Sequence, residues 1–86
     1  MKYGEAHELA KQGKKIKRES WVDQYVFYQE GYTIEPSEAR NPIMAAMSGP
    51  LFIRPHFNMK TVNDCIIVGW SPTTKEMYEI DWIEYE

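Results

Sequence analysis

The residues able to carry out covalent or acid–base chemistry are few and scattered. Cys65 is the single cysteine, and His56 is its nearest histidine in sequence. A nucleophilic Cys-His pair is one reading of the two. The plainer one is favoured: a thiol buried in the apolar run Cys65-Ile66-Ile67-Val68, as lone cysteines in such strands usually are. Two histidines and one cysteine without C-x-x-C or H-x-x-x-H spacing do not supply a metal site. There is no Walker loop, no G-x-G-x-x-G and no G-x-S-x-G. Glu76, Glu79, Asp81, Glu84 and Glu86 lie close to one another, but solvation or helix capping explains them better than general acid–base work. The catalytic set is therefore empty, and neither a metal nor a cofactor is expected. The chain reads as a binding protein rather than an enzyme.

Binding chemistry is better represented. Trp21 sits in the polar turn Glu19-Ser20-Trp21-Val22-Asp23, where strand periodicity does not require it. It either folds back on the core or offers a stacking platform for a base or a partner. In Leu51 to Lys60, alternation puts Phe52, Arg54, His56, Asn58 and Lys60 on one side. That row suits a phosphorylated heterocycle, since rings stack on aromatics and Arg or Lys meets phosphate oxygens; it equally suits the solvent face of a half-buried sheet. The basic run Lys11, Lys14, Lys15, Lys17 and Arg18 reads more as a solvated helix end and strand face than as a phosphate contact.

These residues need a frame. Tyr3, Ala6, Leu9 and Ala10 share one face of a helix over 3–12, and Gly13 follows as a left-handed cap. Lys14 to Arg18 forms a strand, and Gln24 to Gln29 a second with bulk on both faces: Tyr25 and Phe27 on one, Val26 and Tyr28 on the other. Such a strand is sandwiched or lies in an interface. Residues 31–50 read as irregular, with a helix turn capped by Asn41 and begun by Pro42 that is apolar all round and should be buried. Leu51 to Lys60 reads as one strand, with Pro55 marking an edge or bulge. A turn at Asn63-Asp64 leads back through Cys65 to Trp70 as a hairpin. Thr73 and Glu76 have capping-box spacing, and a last strand runs from Ile80 to Tyr85. The order predicts an α+β fold: a small, mostly antiparallel sheet with an N-terminal helix and one or two short helices.

At 86 residues the chain can build one domain, taken as 1–86, around one modest core. Six tyrosines, three phenylalanines and three tryptophans are more aromatic surface than such a core hides, so some of it should face a ligand or another subunit. The net charge of -3 argues against general attraction to nucleic acid or to anionic membrane. With no signal-like or membrane-spanning apolar run, the protein is expected in the cytosol.

Three stretches resemble a known family. MKYGEAHELAKQGKKIKRESW is similar to its opening, a Gly-Glu-Ala helix start, a Gly-Lys-Lys turn and a basic strand ending at Trp. IRPHFNMKT resembles its Arg-Pro-His hairpin strand. VGWSPTTKEMYEIDWIEY resembles its ending, with Trp70, Thr73, Glu76, Asp81 and Trp82 at the matching positions. The family is the phage-encoded Thoeris anti-defence proteins of the second type, and the similarity covers nearly the whole chain in order. The resemblance implies a sponge acting in the cytoplasm of the infected bacterial host. Such proteins hold the cyclic ADP-ribose isomer made by a TIR-domain sensor, without cleaving it, and some relatives also bind cyclic dinucleotides at a separate site. It further implies a homotetramer with ligand pockets between subunits. By motif position it carries Trp21, Arg54 and Thr73 into the ligand site, and His56 joins Arg54 in the Arg-Pro-His strand. Tyr25 and Phe27 join them on local chemistry alone. The chain departs from the family pattern at Pro72-Thr73-Thr74-Lys75 and at Asn63-Asp64-Cys65. A protein-protein inhibitor or structural adaptor, covering a host protein with the same aromatic surface, is the alternative.

Overall fold

The computed structural model describes residues 1–86. Helix α1 (Tyr3–Lys11) leads into strands β1 (Ile16–Arg18), β2 (Tyr25–Gln29) and β3 (Tyr32–Ile34). A 3-10 turn at Pro36–Glu38 and a one-turn helix α2 (Pro42–Ala45) follow. Then come β4 (Leu51–Ile53), β5 (His56–Lys60), β6 (Ile66–Val68), helix α3 (Thr74–Tyr78) and β7 (Trp82–Glu84). Five strands make an antiparallel sheet in the order β6-β5-β2-β1-β7, and β3 and β4 make a separate pair. This is the α+β architecture expected from the sequence.

Helix α1 forms where the apolar spacing places it. The Glu5 carboxylate accepts the Lys2 N–H at 3.1 Å, and Gly13 ends the helix at a φ of 97°, which a side chain would resist. Ala6 and Ala10 are fully buried, with Tyr3 and Leu9 packed beside them, against the sheet face that carries Ile16, Val26, Met59 and Trp82. Register puts those strand residues on one side, since Ile16 pairs with Val26 and Val26 with Met59, while Trp82 faces Arg18, two residues on from Ile16. The whole buried core is these six residues. Each large member contributes roughly 1.5–3 kcal/mol by its burial.

Strands β1 and β7 are also clamped by charge. Arg18 Nε and Nη2 donate to the two oxygens of Asp81 at 2.9 and 3.2 Å, with Glu79 at 3.8 Å. The hydrogen bond from Arg18 holds the Asp81 carboxyl below the usual carboxylate range. Alongside β7, Met1 N donates to the carbonyls of Ile80 and Trp82, and Trp82 N–H donates to Met1 O.

The segment between β2 and β5 departs from expectation. Leu51 to Lys60 is not one strand of one sheet; it breaks at Arg54-Pro55 into β4 and β5. Nor is 31–50 wholly irregular, because Tyr32–Ile34 is a strand. Pairing runs in a single register from Tyr25↔Lys60 to Gln29↔His56 and resumes in the same register from Tyr32↔Ile53 to Ile34↔Leu51. The two sheets are thus one long hairpin, interrupted where Pro55 has no N–H to give and Gly31 passes close to the opposite strand. A Cβ on Gly31 would lie 2.6 Å from Phe52 Cζ and 3.0 Å from Ile53 O.

Beyond that break the hairpin projects as an arm. No residue from 30 to 55 is buried. The radius of gyration is 15.4 Å, against about 12 Å for a compact chain of this length. Helix α2 has its expected cap, Asn41 Oδ1 accepting from the N–H groups of Ile43 and Met44, but not its expected burial: Ile43 is 72% exposed. The short helix packs mainly on the neighbouring 3-10 turn and buries none of its residues. Cys65 likewise lies exposed rather than in the core. It belongs to the turn before edge strand β6, which α1 does not reach, and Ile66, Ile67 and Val68 are exposed with it.

Candidate ligand-binding surfaces

The residues predicted to bind ligand fall on opposite sides of the five-stranded sheet. On the helix-covered side lies a tryptophan cluster. Trp21 meets Trp82 edge-on with centroids 5.3 Å apart, Trp70 lies 6.4 Å from Trp21 and 6.3 Å from Trp82, and Tyr3 packs on Trp82 at 5.1 Å. Trp21 has therefore folded back on the core while remaining half-buried, and Lys17 Nζ fixes its turn by donating to Trp21 O at 2.7 Å. The Trp82 indole N–H donates to Glu76 O and ties α3 to the same cluster. Thr73 caps α3 as its spacing predicted: its hydroxyl oxygen accepts the Glu76 N–H, and its own N–H goes to Glu76 Oε1. Both groups are engaged in the cap, which leaves the Thr73 hydroxyl hydrogen as the donor it can offer outward.

The other side of the sheet carries no helix. Tyr25 and Phe27 stand there, 6.0 Å apart, with Tyr85 at 4.8 Å from Tyr25. Phe27 pairs with Asn58 and Gln29 with His56, so the register brings His56 to this face as well. His56 Nδ1 lies 2.8 Å from Arg54 O. A carbonyl only accepts, so Nδ1 carries the hydrogen and Nε2 remains for other partners. Arg54 is exposed in the link at the base of the arm.

Sequence reasoning missed what surrounds these rings. Lys15 Nζ lies 4.8 Å from the Tyr25 ring centre and 5.5 Å from that of Tyr85, Lys17 Nζ lies 5.9 Å from Tyr85, and Lys60 Nζ lies 6.0 Å from Tyr25. Such cation–ring contacts are each worth about 0.5–1 kcal/mol at exposed sites. The basic run was visible, but not that two of its lysines share a face with Tyr25. Tyr85 gave one signal, its alternation with Ile83. Lys60 also bonds Asp64 at 3.1 Å and the Asp23 carbonyl at 2.9 Å, and Asp64 pushes the Lys60 ammonium pKa up.

A groove of about 530 Å³ opens elsewhere, between the first turn of α1 and α3, walled by Tyr3, Met77, Tyr78 and Ile80 with Lys2, Glu5 and Glu79. It holds none of the six predicted ligand residues. No three His, Cys, Asp or Glu side chains form a metal-ligand set, and no helix is long and apolar enough to cross a membrane.

Within one chain, then, Tyr25, Phe27 and His56 share the open face, with Arg54 near its arm end. Trp21 and Thr73 belong to the tryptophan side. Comparison with known proteins places this arrangement. No curated protein matches the chain significantly. A family model does, over residues 1–85, that of the Thoeris anti-defense 2-like (Tad2-like) domain. With all but the last residue matched, and with the ordered motifs from the Gly-Glu-Ala helix start to the Asp-Trp ending in place, the chain belongs to the Tad2-like family of Thoeris anti-defence domains.

Proposed function

We propose that this protein blocks Thoeris defence by binding and sequestering a cyclic ADP-ribose isomer, the signal derived from a TIR-domain sensor, without degrading it. The family match across residues 1–85 is the observation that carries this reading. The surface chemistry supports it: rings at Tyr25, Phe27 and Tyr85, lysines around them, and Arg54 and His56 beside them suit a ligand made of bases, riboses and phosphates. Effective sequestration needs a dissociation constant well below the signal concentration; a nanomolar constant corresponds to about -12 kcal/mol. Such affinity for a small ligand requires that most of its surface be enclosed. An open sheet face does not enclose it, so the proposed binding form is an oligomer, a homotetramer on the family's pattern. There a second copy closes the pocket and brings Trp21 and Thr73 of one subunit to Tyr25, Phe27, Arg54 and His56 of another. A cyclic dinucleotide is a second ligand for the same assembly.

Calorimetric titration with cyclic ADP-ribose isomers, followed by heating and mass analysis of the released ligand, tests this. Tight binding with unchanged ligand on release is the expected result. Altered ligand would mean an enzyme, and no binding of any isomer would overturn the sponge. A protein-protein inhibitor is the second reading, favoured by one observation: Phe52 at 62% and Ile43 at 72% exposed on the arm offer apolar surface to a protein. It predicts no small-molecule binding and a stable complex with a host protein.

A further inference from the structure

Asn58 is anomalous. It is only 6% exposed, yet its Oδ1 is fully buried and has no hydrogen-bond partner. A buried amide oxygen left unpaired costs about 1–3 kcal/mol, and small domains seldom keep one without use. Its position narrows that use. Asn58 pairs with Phe27 on one side and Val68 on the other, which places it on the open face of the sheet, flanked along its own strand by His56 and Lys60. No helix packs over that face, and its cross-strand neighbour Val68 is 70% exposed.

The charge on the face argues for its occupant. The chain as a whole is acidic, yet Lys15, Lys17 and Lys60 converge on Tyr25 and Tyr85, and Lys15 has no carboxylate partner. A second copy docking this face on itself would set lysines against lysines. An anionic ligand with a planar ring satisfies both the rings and the cations.

We propose that Asn58 is a specificity residue of the ligand site, accepting a hydrogen bond from an N–H of a planar heterocycle laid across Phe27 and Tyr25, while Lys15 meets the ligand's phosphate. The assignment rests on the sponge reading and names which part of the ligand this face takes. The unpaired oxygen is closed to solvent in the free protein, so the ligand's N–H reaches it by shifting the side chains around it. Rings without an N–H at that edge leave the oxygen unpaired and bind more weakly.

The test is Asn58→Leu in the full chain, read by three measurements: thermal unfolding, mass in solution, and titration with the cyclic ADP-ribose isomers. Removing an unpaired buried amide should leave Tm equal to wild type or raise it by several degrees. Affinity should fall at least about tenfold, with the oligomer unchanged. Lys15→Gln should weaken binding and flatten its dependence on salt. If Asn58→Leu does not fold, the shorter, β-branched Asn58→Val is read in the same way. Binding within twofold of wild type overturns the assignment. So does a change in oligomer mass, which would mean that another copy supplies the donor. Failure of the wild-type protein to bind any isomer overturns the sponge reading itself and removes the basis of this one.

Discussion

The body of the molecule and its arm are built from the same long hairpin and meet opposite fates. In the body, β2 and β5 lie under α1, and Val26 and Met59 are buried. In the arm, β3 and β4 continue the same register with residues just as apolar, Tyr32, Ile34, Leu51, Phe52 and Ile53, and none is buried. Strand pairing is satisfied equally in both. What differs is a second layer: α1 covers the body strands and nothing in the chain covers the arm. Hydrogen-bonded pairing thus extends a sheet, but only a facing layer gives it a core.

The largest test of this contrast is Trp82→Ala. It removes the biggest fully buried side chain, the hub of the tryptophan cluster and the donor to Glu76. A loss of about 3–5 kcal/mol is expected in chemical denaturation, enough to unfold a domain of this size. Gly31→Val comes next. Its Cβ would press on Ile53 O and Phe52 at the junction, at a cost of roughly 1–3 kcal/mol. Because the strain lies at the base of the arm, limited proteolysis should cut within 31–54 well before the body unfolds. A single cooperative loss of both would show that arm and body are one unit.

Thr73→Ala should cost about 1 kcal/mol by removing the cap of α3, measured by thermal unfolding. The Arg18–Asp81 clamp gives a smaller, pH-dependent effect. Because Asp81 has a lowered pKa in the folded protein, its contribution is present above the ordinary carboxylate range and is lost as the pH falls through the folded value. Asp81→Asn should therefore be less stable than wild type near neutral pH, with the difference closing in acid. The smallest effect is expected in the arm. Replacing Ile43 by Ser should change the stability of a dilute monomer by no more than about 0.5 kcal/mol. If the arm packs between copies, light scattering will show a loss of mass in the same variant.

The elements were legible where the signal was local. Gly13 ends α1, Asn41 and Pro42 start α2, and Thr73 with Glu76 starts α3, because each stop or start depends on groups within a few residues. Strand β3 was obscured by the polar residues and the single proline, Pro36, around it, and only its register with β4 shows it as the continuation of β2. The candidate site was half legible. Tyr25 and Phe27 were placed on one face by alternation, and His56 and Asn58 were placed together on one row of β5. That these two rows share a face, and that Lys15, Lys17 and Tyr85 join them, depended on pairings between strands distant in sequence.

By itself the sequence determined the helices with their caps, most of the strands and the lack of any recognised catalytic motif, because these rest on residue type and short-range spacing. Its ordered motifs also pointed to the family. Only the tertiary structure decided which apolar residues become core. Cys65 and the Ile66–Val68 strand are as apolar as any buried segment, yet they stand exposed: Ile66 and Val68 pair with Lys60 and Asn58 on the face that no helix covers, and Ile67, opposite Met59, lies on an edge strand away from α1. Burial belongs to the layer above a residue rather than to the residue, and that layer is fixed by contacts across the whole chain.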